Sequence, residues 1–84
     1  MKKVVLNRDI YDFLNKNIYS LKKVKQEGKS YIVLLDSVEI EKILDKLSDI
    51  LVEKGLKDDD SPNDYGAFIE KLIDIFSNKY YNED

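Results

Sequence analysis

Apolar residues recur along this chain with changing period, and the period marks out its elements. Val4-Val5-Leu6 is a short β-prone run and predicts a strand over residues 2–6. Ile10, Phe13, Leu14, Ile18, Leu21 and Val24 then repeat at steps of three and four. That spacing traces one helical face and predicts a helix over 8–25. Asn7 stands as its N-cap, and Leu6 and Tyr11 sit at the spacing of a hydrophobic staple. A second reading ends this helix near Asn17 and makes residues 19–25 a strand, paired to the next across Glu27-Gly28. The unbroken stripe to Val24 favours the helix.

Ser30 to Leu35 reads as a strand, apolar throughout from Tyr31, the pattern of a strand covered on both faces. Asp36-Ser37-Val38-Glu39 is a capping box, with Leu35 and Ile40 as its staple. Ile40, Ile43, Leu44, Leu47, Ile50 and Leu51 give the clearest amphipathic helix, over 37–54. Gly55 reads as its C′ residue and Leu56 as the C″ residue of a Schellman motif. Lys57 to Asp60 is a charged connector, and Ser61-Pro62 reads as N-cap followed by N1. Tyr65, Phe68, Ile69, Leu72, Ile73, Ile75 and Phe76 line a last helix over 62–80, with residues 80–84 expected to fray. Gly66 inside that helix costs about 1 kcal/mol relative to Ala, which predicts a close approach of another backbone there. The order β-α-β-α-α predicts a single α+β domain over 1–84. Three helices pack on a two-stranded sheet whose strands run parallel through one crossover. Leu44, Leu47 and Leu51 are expected against Phe68, Leu72 and Phe76.

Charge changes this picture by splitting the chain. Residues 1–35 hold eight Lys/Arg against three Asp/Glu, a balance of +5, and residues 36–84 hold six against fourteen, a balance of −8. The net −3 therefore hides a basic front and an acidic back, and surface charge decides which partners are attracted. Thirteen of the fourteen cations are Lys, which together with many Ile, Asn and Tyr points to an AT-rich genome. The longest apolar run, Tyr31 to Leu35, is far shorter than the ~18 residues of a membrane span. Met1-Lys2-Lys3 lacks a following apolar h-region, so a cytoplasmic protein is expected.

The chain has no His, Cys or Trp. The usual zinc ligands, a Ser–His pair and a disulfide are thereby excluded. Three scattered glycines make no phosphate loop. No catalytic residue and no cofactor are implied, and the expectation is a non-enzyme. A calcium loop starting at Asp59 would draw on Asp59, Ser61, Asn63 and Glu70. Its sixth position, however, is Asp64 rather than Gly, its apolar eighth position is Gly66, and Pro62 stiffens it, so a capped connector is the better reading.

The candidate partner-binding residues are Asp45, Asp49 and Glu53, at i, i+4, i+8 on the outer face of the second helix, with Asp58, Asp59, Asp60 and Asp64 around the connector. Such a field would steer a basic protein surface into place. The function expected is a small protein-binding domain: a regulator, an inhibitor or an immunity-type protein. The second reading, from another class, is a nucleic-acid accessory protein using Lys22, Lys23, Lys25 and Lys29 with Tyr19 and Tyr31. It ranks lower because the chain is acidic overall and nearly lacks Arg. The apolar stripe of the last helix spreads over roughly 160°, wider than a core-facing helix needs. That width suggests a homodimer through this helix.

Overall fold

A computed structural model of the chain describes residues 1–18, 20–59 and 61–81. It shows an α+β fold with elements β1 (Lys2–Asn7), α1 (Arg8–Asn17), β2 (Val24–Glu27), β3 (Ser30–Leu35), α2 (Ser37–Lys54) and α3 (Asp64–Tyr81). The sheet has three strands, not two, in the order β1-β3-β2. Both pairings are antiparallel, so the expected parallel pairing of the first strand with residues 30–35 does not form. Instead α1 carries the chain across to β2, which runs parallel to β1, and the hairpin returns β3 between them.

The correction centres on the first helix, which stops at Asn17 rather than continuing to residue 25. The side chains that favour turns decide this. Asn17 turns its amide onto the Phe13 carbonyl at 3.1 Å, and Asn15 Oδ1 accepts the Leu21 N–H at 2.9 Å. These bonds fold the chain back after α1. Ile18 and Leu21 still pack against the core, so the helical spacing recorded true burial, delivered by a loop. Val24 then faces Val33 across the ladder. Glu27 pairs with Ser30, so the hairpin turns through Gly28 and Lys29, one residue later than the second reading placed it. Gly28 has φ +59°, a conformation open to glycine and costly for other residues.

The helix α2 begins as expected. Asp36 Oδ1 accepts the Glu39 N–H at 2.7 Å, and Glu39 Oε1 accepts the Asp36 N–H at 3.1 Å. Its far end differs: Gly55 is the C-cap itself, with φ −97°, not a left-handed C′ residue. Helix α3 begins at Asp64, two residues later than expected, because Asn63 rather than Ser61 caps it; Asn63 Oδ1 accepts the Gly66 N–H at 2.7 Å. Of the tail expected to fray, Tyr80 and Tyr81 complete α3, and residues 82–84 lie outside the described residues.

One core joins the elements: Val4, Leu6, Val33 and Leu35 from the inner face of the sheet, Ile10 and Leu14 from α1, Ile40, Ile43 and Leu47 from α2, and Ile69, Leu72 and Phe76 from α3. Leu44, Leu51 and Phe68 are half-buried at its margin. Lys2 clamps the last helix to the first strand, its Nζ donating to the carbonyls of Lys79 and Tyr80. No described helix is long and apolar enough to cross a membrane.

Candidate protein-binding surfaces

The acidic residues singled out above lie around one end of the helical layer and along α2. Glu53 sits in the last turn of α2, Asp58 and Asp59 in the connector and Asp64 in the first turn of α3, all exposed. Asp60 lies outside the described residues. Asp49 and Asp45 continue one and two turns up α2. They do not stand alone: Lys42 and Lys46 line the same cleft of about 270 Å³, together with Ile18. The cations thus alternate with the carboxylates there, and the field along α2 is weaker than the carboxylates alone would give.

Asp59 also has a local task. Its Oδ1 accepts the Ser61 N–H at 3.1 Å and the Ser61 hydroxyl at 2.6 Å, a side-chain turn. These bonds hold the Asp59 carboxyl below its ordinary pKa, the Ser61 hydroxyl contributing most. The Lys57 N–H reaches the Ser61 carbonyl at 2.7 Å, and the Asn63 N–H reaches the Gly55 carbonyl at 2.9 Å. Ser61 and Asn63, which a calcium loop would need as ligands, therefore serve to close and cap the connector.

The basic residues of the second reading fall on β2 and at its two ends. Lys22 and Lys23 lead into β2, Lys25 lies on it, and Lys29 sits in the hairpin turn. Lys29 shares a cleft of about 320 Å³ with Arg8, Gln26, Gly28 and Tyr31. Tyr31 stacks on Tyr11 of α1, ring centroids 4.1 Å apart and planes 4° from parallel. Tyr19 lies outside the described residues.

Most of the apolar stripe of α3 is used within the chain. Phe68, Ile73, Ile75 and Tyr80 pack against the core, and Phe13 of α1 meets Phe68 and Tyr65 edge-on. Tyr65 and Tyr81, at opposite ends of the helix, are its well-exposed large apolar residues.

The surface that sequence reasoning missed is the outer face of the sheet. Successive strand residues alternate in direction, so Val4, Leu6, Val33 and Leu35 point to the helices while their neighbours point away. The ladder places Lys3 opposite Leu34, and Val5 and Lys25 on either side of Ile32. The Leu34 N–H donates to the Lys23 carbonyl at 3.0 Å, which carries the pairing one residue further. Leu34 is therefore flanked by Lys3 and Lys23, and the Lys23 Nζ reaches the Met1 sulfur at 3.4 Å. Val5 is 55% exposed and Leu34 40%. β3 is thus covered on one face only, contrary to the reading from its apolar run. The face is an aliphatic strip of Val5, Ile32 and Leu34 rimmed by three lysines. Glu27, a carboxylate on the same face, lies 3.7 Å from Lys25.

Comparison with protein-family models, with curated proteins and with solved structures finds no match to this chain.

Proposed function

We propose that this chain is a non-catalytic protein-binding domain, a small regulator, inhibitor or immunity-type protein, that holds an acidic, partly apolar segment of another protein against the open face of its sheet. The observation that carries this reading is the aliphatic strip of Val5, Ile32 and Leu34 ringed by Lys3, Lys23 and Lys25. An apolar centre with a charged rim is the usual anatomy of a binding patch, and exposed clustered aliphatics in a small domain mark such sites. The lysines set the sign of the partner. The carboxylates around the connector form a second field of opposite sign that repels the same partner and so helps to orient it.

Nucleic acid is the alternative ligand for these lysines. It fits less well because single-stranded ligands are held by base stacking on exposed rings, and the one ring on these strands, Tyr31, is turned inward onto Tyr11.

The test compares three immobilised proteins in host extract: wild type, Leu34→Glu, and Asp58→Lys combined with Asp59→Lys. A protein retained by wild type and by the connector variant, but not by Leu34→Glu, supports the sheet face. Retention by Leu34→Glu with loss in the connector variant would transfer the contact to the acidic surface. A gel shift that weakens steeply between two salt concentrations would favour nucleic acid instead.

A further inference from the structure

The two edges of the sheet differ in a way that selects what joins them. β2 is four residues long and carries Lys25 and Glu27 on its outer face. Short length and charge are the devices by which natural sheets blunt an edge. β1 is six residues long, with no proline and with Val4-Val5-Leu6 at its centre. Among the described residues nothing pairs with its outer side, since the sheet ends there. An open strand of this kind presents unpaired N–H and C=O groups to any second strand that fits.

A second copy of the same strand fits. In an antiparallel pair, residues directly opposite one another point to the same face of the sheet. A two-fold axis normal to the sheet keeps both helical layers on one side, so a residue of one copy must face a residue of the same parity in the other. The axis can therefore pass only beside a single residue, and the central choices are Val4 and Val5. Centring on Val4 would bring the clamped Lys2 and the end of α3 opposite Leu6 of the second copy. Centring on Val5 leaves them outside the paired stretch, with Lys3 opposite Asn7, Val4 opposite Leu6, and Val5 opposite itself. No like charges then meet within the ladder. Val5, left 55% exposed in the single chain, gains an apolar partner.

We propose that β1 is the seam of a two-fold dimer, paired antiparallel about Val5 into one six-stranded sheet. The two sheet faces then lie side by side and form one continuous basic, aliphatic surface. Self-pairing of the chain is independent of the partner proposed above. Leu34→Glu, on the central strand, would abolish partner capture while leaving the dimer mass unchanged.

The chain contains no Cys, so Val5→Cys introduces a lone thiol. Opposite residues in an antiparallel ladder have Cα atoms roughly 4.5–5.5 Å apart, within the span of a disulfide. Mild oxidation of Val5→Cys should convert most of the protein to a linked dimer, whereas Val38→Cys, equally exposed on α2, should stay largely single. By light scattering, Val5→Lys and Val5→Glu should each self-associate at least about a hundredfold more weakly than wild type, and an equimolar mixture of the two should recover the dimer. A monomer mass for wild type at every concentration would overturn the proposal. So would a wild-type dimer in which Val5→Cys links no better than Val38→Cys, which would move the seam elsewhere, to α3 for example.

Discussion

Gly55 and Gly66 touch backbone to backbone where α2 passes into α3. A Cβ built on Gly66 would strike the Gly55 carbonyl oxygen and lie 2.8 Å from its carbon, and one on Gly55 would lie 2.9 Å from the Gly66 Cα. The Asn63 N–H donates to the same Gly55 carbonyl at 2.9 Å, and the Asn63 amide donates to the Lys54 carbonyl at 3.0 Å. The end of one helix and the start of the next are thus fixed by contacts that leave no volume for a methyl group.

Gly66→Ala should therefore destabilise the fold although it improves helix propensity. Propensity returns up to about 1 kcal/mol, whereas overpacking costs typically 1–3 kcal/mol and more where backbone rather than a rotatable side chain must move. A net loss of roughly 1–2 kcal/mol should lower the melting temperature by about 5–15 °C. A variant that melts at or above the wild-type temperature would show that the helices do not approach this closely.

The connector should also respond to acid through one identified group. The Ser61 hydroxyl and N–H hold the Asp59 pKa below its ordinary value of 3.8. A carboxylate depressed in the folded state adds stability above its unfolded pKa, and that contribution disappears as pH falls through the folded value. Ser61→Ala should thus raise the Asp59 pKa towards ordinary, as read by carboxyl-carbon NMR titration. The stability gap between variant and wild type should be present at neutral pH and close in acid. An unmoved Asp59 titration would separate the turn from the shift.

What the sequence disclosed and what it concealed divide along physical lines. The capping box at Asp36 and Glu39 and the period of α2 are local signals, and both hold in the structure. Gly66 was legible because a glycine inside a helix opposes propensity and so asks for a packing reason. β2 was legible only as the second reading, which ended the first helix near Asn17 and paired a strand over residues 19–25 across Glu27-Gly28; the strand lies later, at residues 24–27. Of its four residues only Val24 packs against the core, so its own period of two is weak beside the helical spacing of Ile18, Leu21 and Val24. That strand exists because β3 offers a ladder and Gly28 closes the turn, neither of which is a property of residues 24–27 themselves.

The candidate surfaces divide in the same way. The carboxylates from Asp45 to Asp64 could be seen as exposed from their positions in the sequence, yet the bonds that commit Asp59 to Ser61 needed the folded connector. The outer sheet face could not be read at all beforehand. Lys3, Lys23 and Leu34 come from three separate segments, and only the order β1-β3-β2 sets them side by side. In a parallel two-stranded sheet the apolar run from Tyr31 to Leu35 would be covered on both faces. The bare face emerges only once all the core contacts are placed on the other side.

Lys2 offers the last test, because it joins the two ends of the described chain. Its Nζ donates to the Tyr80 carbonyl at 2.8 Å and to that of Lys79. Both belong to the last turn of α3, where the carbonyls lack helical partners and where a cation also opposes the negative end of the helix dipole. The ammonium lies 6.0 Å from the Tyr80 ring centroid. Lys2→Met keeps the apolar stem and removes the donors and the charge. The expected loss is about 1 kcal/mol, with faster amide exchange confined to the final turn of α3 and to the start of β1. Exchange that accelerates evenly through the core would mean that Lys2 acts through packing, and unchanged exchange at residues 79–81 would mean that the clamp does not hold the helix.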